Sequence, residues 1–145
     1  MLSRFPQAIP EIPVTILEKA AAYYVNALGF HLDWHSEQDG IAGLSQGDSR
    51  LFLTDAPFRE HHGNVAPVVL WLNLKSKQEV DELYHHWRHS GAKLLAQPED
   101  KPWNLREFTA ADLDSNQLRV FYDFSGGIAE GNTRIKTSAL LFTDE

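Results

Sequence analysis

The chain has 145 residues, with 13 Lys and Arg against 20 Asp and Glu, a formal net charge of −7, and no cysteine. That length suits one domain with a real core, and 43% hydrophobic with 23% charged residues reads as soluble and globular. The missing cysteines exclude a disulfide framework, a thiolate nucleophile and a zinc–thiolate site. The acidic balance argues against a nucleic-acid partner and mildly favours a cationic one.

In chain order, residues 8–14 read as a short strand whose Pro10 and Pro13 favour an edge position. Thr15-Ile16-Leu17-Glu18 has the form of a capping box, followed by Leu17, Ala20, Ala21, Tyr24 and Leu28 at helical spacing and a terminating Gly29. Extended segments are expected at 30–35, 41–46 and 50–54, separated by the turn formers Gln38-Asp39-Gly40 and Gly47-Asp48-Ser49. Residues 56–67, with Pro57, Gly63 and Pro67, read as a linker.

The second half repeats this grammar. A strand at 68–74 precedes a second capping box, Ser76-Lys77-Gln78-Glu79, a stripe of Val80, Leu83, Tyr84 and Trp87, and the helix stop Gly91. Strands are expected at 92–96, 105–111 and 117–124, with turns at 97–102 and 112–116. The chain is therefore expected to be an α+β protein of two βαβββ modules, 8–55 and 68–124, whose small mixed sheets cup a shared concavity. Residues 125–145 form a tail, with a short strand expected near 135–142. No apolar run approaches the roughly 18 residues of a membrane span, and none follows Arg4, so a cytoplasmic location and no membrane partner are expected.

The stretch 10–30, ending Ala27-Leu28-Gly29-Phe30, resembles the first module of the vicinal oxygen chelate superfamily. Asp81-Glu82-Leu83-Tyr84, Pro102-Trp103-Asn104-Leu105-Arg106-Glu107-Phe108 and Asp112-Leu113-Asp114-Ser115-Asn116 are similar to its bleomycin-resistance branch, glyoxalase-like proteins that sequester drug. Ser115 departs from the pattern, which usually has Gly in this turn. The resemblance implies a homodimer with two equivalent crevices built from both subunits, with exchanged N-terminal strands.

It also implies where a metal would sit in enzymes of this fold, and those positions fall on Ile9, Val69 and Arg119. None of these offers an imidazole or carboxylate, so no metal, no cofactor and no Lewis-acid chemistry are expected. His85, His86 and His89 lie off the apolar stripe of their helix and read as solvated, as do His61 and His62. His31 and His35 fit a polar strand face. There is no phosphate-binding glycine loop and no Gly-x-Ser-x-Gly elbow.

Strand parity aims Glu11, Trp71 and Asn73 into the concavity with Ile9 and Val69, and Phe121 with Arg119, while Leu118, Val120 and Tyr122 pack beneath the helices. Arg119 there requires a carboxylate, either Glu11 or Glu107. The resemblance implies an aromatic clamp at Trp34 and Trp103, an acid at Asp33, and Ile41 where the branch has a third aromatic. The candidate ligand-binding set is thus Asp33, Trp34, Ile41, Trp71, Asn73, Trp103, Glu107, Arg119 and Phe121, for a cationic, partly planar small molecule. Two other outcomes are an enzyme of the same fold, a lyase or dioxygenase with a metal at a non-standard site, and a sensor or structural module with its aromatics packed shut.

Overall fold

The computed structural model of the protein describes residues 4–60 and 66–125. His61, His62, Gly63 and the strand expected near 135–142 lie outside the described residues. The element order is β1 (Glu11–Pro13), α1 (Leu17–Asn26), β2 (His31–Ser36), β3 (Ile41–Gln46), β4 (Ser49–Thr54), α2 (Ala56–Arg59), β5 (Val69–Asn73), α3 (Lys77–Ser90), β6 (Lys93–Asp100), β7 (Leu105–Ala111) and β8 (Gln117–Asp123). The repeat read from the sequence is the architecture. The strands form two four-stranded sheets, β1-β4-β3-β2 and β5-β8-β7-β6. In each, the first strand of the module is parallel to the last and the other pairings are antiparallel. The long helices α1 and α3 provide the crossover a parallel pair requires.

Each long helix covers one face of its own sheet. Alternation along the strands sends Ala42, Leu44, Leu51 and Leu53 inward in the first module, and Phe108, Ala110, Leu118 and Val120 inward in the second. Together with Tyr24 on α1 and Val80 and Trp87 on α3, these residues form one buried cluster spanning both modules. Among the described residues no helix covers the opposite faces of the two sheets, which sets up the candidate site.

The helix starts separate a working capping box from a failed one. At α3, Ser76 Oγ accepts from Glu79 N at 3.0 Å, and Glu79 Oε1 reaches back to accept from Lys75 N at 2.8 Å. Gly91 closes α3 at φ +93°, a left-handed conformation that glycine adopts without penalty. At α1 the expected Thr15–Glu18 box does not form: Ile16 is the N-cap and has no side-chain cap bond. Thr15 instead donates both its backbone N–H (3.0 Å) and its hydroxyl (2.5 Å) to Asp114 Oδ1 in the other module. A 99-residue contact has outcompeted a local motif.

Two further boundaries move. β6 runs on through residues 97–100, expected as a turn, because it is the outer strand of its sheet, where Pro98 breaks no ladder bond. Its register shifts between Leu94 and Ala96 and again between Ala96 and Glu99 accommodate the irregularity. The linker holds a turn of helix, α2, started by Asp55 Oδ1 accepting from Phe58 N at 3.1 Å with Pro57 in its first turn. Arg59 of that turn donates to the Thr54 carbonyl.

The modules are joined by a buried polar node on the β7–β8 turn. Asp112 is 2% exposed and accepts four hydrogen bonds: from Tyr24 OH (2.8 Å), Asn116 Nδ2 (2.8 Å), Asn116 N (2.9 Å) and Asp114 N (2.8 Å). Asn116 Nδ2 also donates to Pro13 O at 2.8 Å, fixing β1, which in the single chain lies on its own β4. Burial, reinforced by the Asp112 charge, pushes the Tyr24 phenol well above its ordinary range, so it remains a donor. Across the seam, Trp87 Nε1 donates to Leu28 O at 2.9 Å and Tyr23 OH to Ala111 O at 2.7 Å.

Two stability predictions follow from this node. Asp112→Ala leaves several buried donors without an acceptor and should cost roughly 3 kcal/mol, seen as a lower denaturant midpoint. Ser115 sits at φ +69°, in the region where an L side chain crowds the following carbonyl, at the turn position where the resemblance implies glycine. Ser115→Gly should therefore raise stability by about 0.5–1 kcal/mol in the same assay.

Candidate functional site

On the uncovered face of the second sheet, cross-strand register brings the candidate residues together. Trp71 pairs with Arg119 and Asn73 with Phe121 across β5–β8, and Glu107 pairs with Phe121 across β7–β8. The Trp71 and Phe121 rings meet edge to face with centroids 5.5 Å apart, and the Arg119 guanidinium carbon stands 5.3 Å from the Trp71 centroid. Arg119 pairs with Glu107, 3.5 Å between Nη1 and Oε2, which settles its carboxylate partner. Glu11 lies elsewhere, accepting from Thr54 Oγ1 at 3.0 Å.

Glu107 also fixes a tryptophan. Its Oε1 accepts from Trp103 Nε1 at 3.0 Å, so one carboxylate, only 3% exposed, orients both an indole and a guanidinium. Trp103 stands in the β6–β7 turn, which bends through Asn104 at φ +67°. The strand beside it is tied down by Arg106, which donates to Asp81 Oδ1 at 2.8 Å and Asp100 Oδ1 at 2.9 Å. Hydrogen bonds from Lys77 and then Arg106 hold the Asp100 carboxyl below its ordinary range.

The first sheet builds a matching face by a different device. Strict alternation from Leu32, which packs inward, would send Trp34 into the core as well. A register shift between Leu32 and Trp34 makes Asp33 the extra residue of a bulge, and Trp34 emerges opposite Gly43 on the uncovered face. The indole lies on that glycine: a Cβ there would sit 2.5 Å from both Nε1 and Cε2. Phe52 meets Trp34 edge to face at 5.3 Å, and Asp33 Oδ1 accepts from Ser45 Oγ at 3.0 Å. Ile41, paired with Ser36 and Thr54, shares this face two residues along β3 from Gly43.

Trp34, Trp71 and Trp103 are 41%, 49% and 59% exposed, against 2% for Trp87 in the core. Large aromatics left in water on two uncovered sheet faces suit stacking against a flat partner. A cavity of about 740 Å³ opens between the modules, where residues 28–30 and 46–49 meet β5 and α3, and the candidate residues Trp71 and Asn73 line one wall of it. His85, His86 and His89 are exposed on α3, as their spacing suggested.

The family model described as Glyoxalase/Bleomycin resistance protein/Dioxygenase superfamily matches residues 7–120. The chain belongs to this superfamily. Among curated relatives, a bleomycin resistance protein of Geobacillus stearothermophilus is 29% identical over 131 residues, covering 79% of this chain and 95% of the relative. Staphylococcus aureus has one with the same figures. Among solved structures, a glyoxalase/bleomycin resistance protein/dioxygenase from Nocardioides superposes with TM-score 0.69 at 23% identity, covering 84% of this chain and 85% of the other. The bleomycin-binding protein of bleomycin-producing Streptomyces verticillus, complexed with copper(II)-bleomycin, superposes with TM-score 0.62 at 20% identity, covering 82% and 97%.

The resemblance implies that a metal in enzymes of this fold would be held at the positions of Ile9, Val69 and Arg119. Val69 and Arg119 sit on the uncovered face of the second sheet, and Ile9 precedes β1. Two aliphatic side chains and a guanidinium already paired with Glu107 do not fit a divalent ion. Among the described residues, no three His, Asp or Glu side chains gather into a ligand set.

Two residues that build the uncovered face of the first sheet were not singled out in the sequence, Gly43 and Phe52. A lone glycine inside the strand Ile41–Gln46 was the available signal for a close approach. Gly43→Ala should force the Trp34 indole off its seat. The expected outcome is a changed Trp34 indole N–H resonance with those of Trp71 and Trp103 unmoved, read by heteronuclear NMR.

Proposed function

We propose that the protein is a non-catalytic binding protein that sequesters a cationic, partly planar small molecule, such as a bleomycin-family antibiotic, and so confers resistance. The observation that carries this reading is the set of three exposed tryptophans, each positioned by a dedicated partner: Gly43 under Trp34, Phe121 against Trp71 and Glu107 beneath Trp103. Indole faces stack on flat rings and attract cations, contributing roughly 0.5–2 kcal/mol each. Asp33 and Glu11 are the carboxylates nearest in register to the Trp34–Phe52 pair and are assigned to the cationic groups. Glu107 is reassigned from ligand contact to positioning, because both its oxygens are engaged. The relatives named for bleomycin resistance and bleomycin binding support the drug class.

In this reading ligand is held without any bond made or broken, no metal or cofactor takes part, and neither nucleic acid nor membrane is a partner. Among the described residues no helix is long and apolar enough to cross a membrane. The working form is a homodimer in which the uncovered sheet faces of two subunits close shared crevices. The test is a tryptophan-fluorescence titration with metal-free bleomycin. Saturable quenching at micromolar drug is expected, and Trp103→Ala should weaken it roughly tenfold, the loss of one good stacking contact. No quenching at those concentrations, or an unchanged affinity in Trp103→Ala, contradicts the proposal.

A further inference from the structure

The Arg119 side chain is 37% exposed, and Glu107 at 3.5 Å is its only ion-pair or hydrogen-bonding partner among the described residues. A guanidinium carries five N–H donors in a planar fork, so most of them are unspent. Its environment is not that of a solvated surface arginine. The group is held against the Trp71 ring, Trp71 is braced by Phe121, and the carboxylate fixing it is buried and locked from the other side by Trp103. The donors are thus pre-positioned beside an exposed indole face, where an acceptor would meet an ordered fork rather than a mobile chain.

We propose that Arg119 is a donor subsite for the carbonyl oxygen of a planar ligand, reading a carboxamide or similar neutral acceptor attached to the ring that stacks on Trp71. The inference rests on the reading that this face receives a ligand, and it adds what that ligand must carry. Charge decides which acceptor fits. The Glu107 carboxylate already neutralises the guanidinium, so a ligand carboxylate on the same fork would lie close to a second, buried negative charge. A neutral carbonyl takes the hydrogen bonds without that repulsion. A ligand cation is turned away from Arg119 itself and directed to Asp33 and Glu11 on the other sheet. One molecule with a cationic end and a carbonyl-bearing planar end would then be read by two chemically opposite surfaces.

The test uses three probes that share a ring and differ in one substituent: 2-naphthamide, 2-naphthoate and 2-naphthylmethylammonium. Each is titrated into the full-length protein while the indole N–H resonances of Trp71 and Trp103 are followed. The amide should bind more tightly than the carboxylate. Arg119→Met leaves Glu107 as an unpaired buried charge, so the informative variant is Arg119→Met combined with Glu107→Gln, which keeps an acceptor for Trp103 Nε1. In that double variant the amide should lose about tenfold in affinity, the scale of a hydrogen bond to a charged donor, while the ammonium probe stays within about twofold. Equal affinity of wild type and double variant for 2-naphthamide, or a preference for the carboxylate, overturns the proposal. Naphthamide binding through Arg119 in a protein that ignores bleomycin would sink the drug assignment and leave this subsite standing. Bleomycin binding with no Arg119 effect on the amide would do the reverse.

Discussion

The arrangement depends on one buried carboxylate. Asp112 collects a phenol, an amide side chain and two backbone N–H groups at the junction of α1, β1 and the β7–β8 turn, out of contact with water. An ionised carboxylate buried without such partners costs several kcal/mol, so the node is favourable only when all its donors arrive together. Those donors belong to both modules. Closing the node therefore fixes the two βαβββ units against each other, and among the described residues no helix covers the outer face of either sheet.

A second constraint acts on those outer faces. A large aromatic in water gains little by holding a single orientation unless something else orders it. Each of the three exposed tryptophans here is ordered by a partner that is itself fixed: a glycine in a central strand, a cross-strand phenylalanine, and a carboxylate balanced between an indole and a guanidinium. Ordering these side chains before a ligand arrives lowers the entropy lost on binding. This is how a shallow sheet face can serve as a recognition surface, and at Trp71 and Asn73 that face borders the 740 Å³ cavity between the modules.

Much of this was legible in the sequence, because repetition and parity are strong signals. The doubled strand–helix–glycine pattern announced two modules, and alternation along 117–123 separated Leu118 and Val120 from Arg119 and Phe121. The need of Arg119 for a carboxylate narrowed its partner to two residues, of which Glu107 is the one found. The illegible parts share a physical cause, the competition of distant contacts with local rules. Thr15 looks like a helix cap until Asp114, 99 residues away, takes its hydroxyl. Trp34 shares strand parity with the inward Leu32 until the bulge at Asp33 turns it outward. Asp112 read as an ordinary turn residue, since nothing local reveals that Tyr24 is folded onto it.

In the proposed function an aromatic ligand lies against the exposed indoles of the uncovered sheet faces. Intermolecular nuclear Overhauser effects between the aromatic protons of bound bleomycin and the protein's indoles address it most directly. Stacking on these faces should give cross-peaks to Trp34, Trp71 and Trp103 and none to the buried Trp87. Cross-peaks confined to residues lining the cavity between the modules, with Trp34 and Trp103 silent, would contradict it.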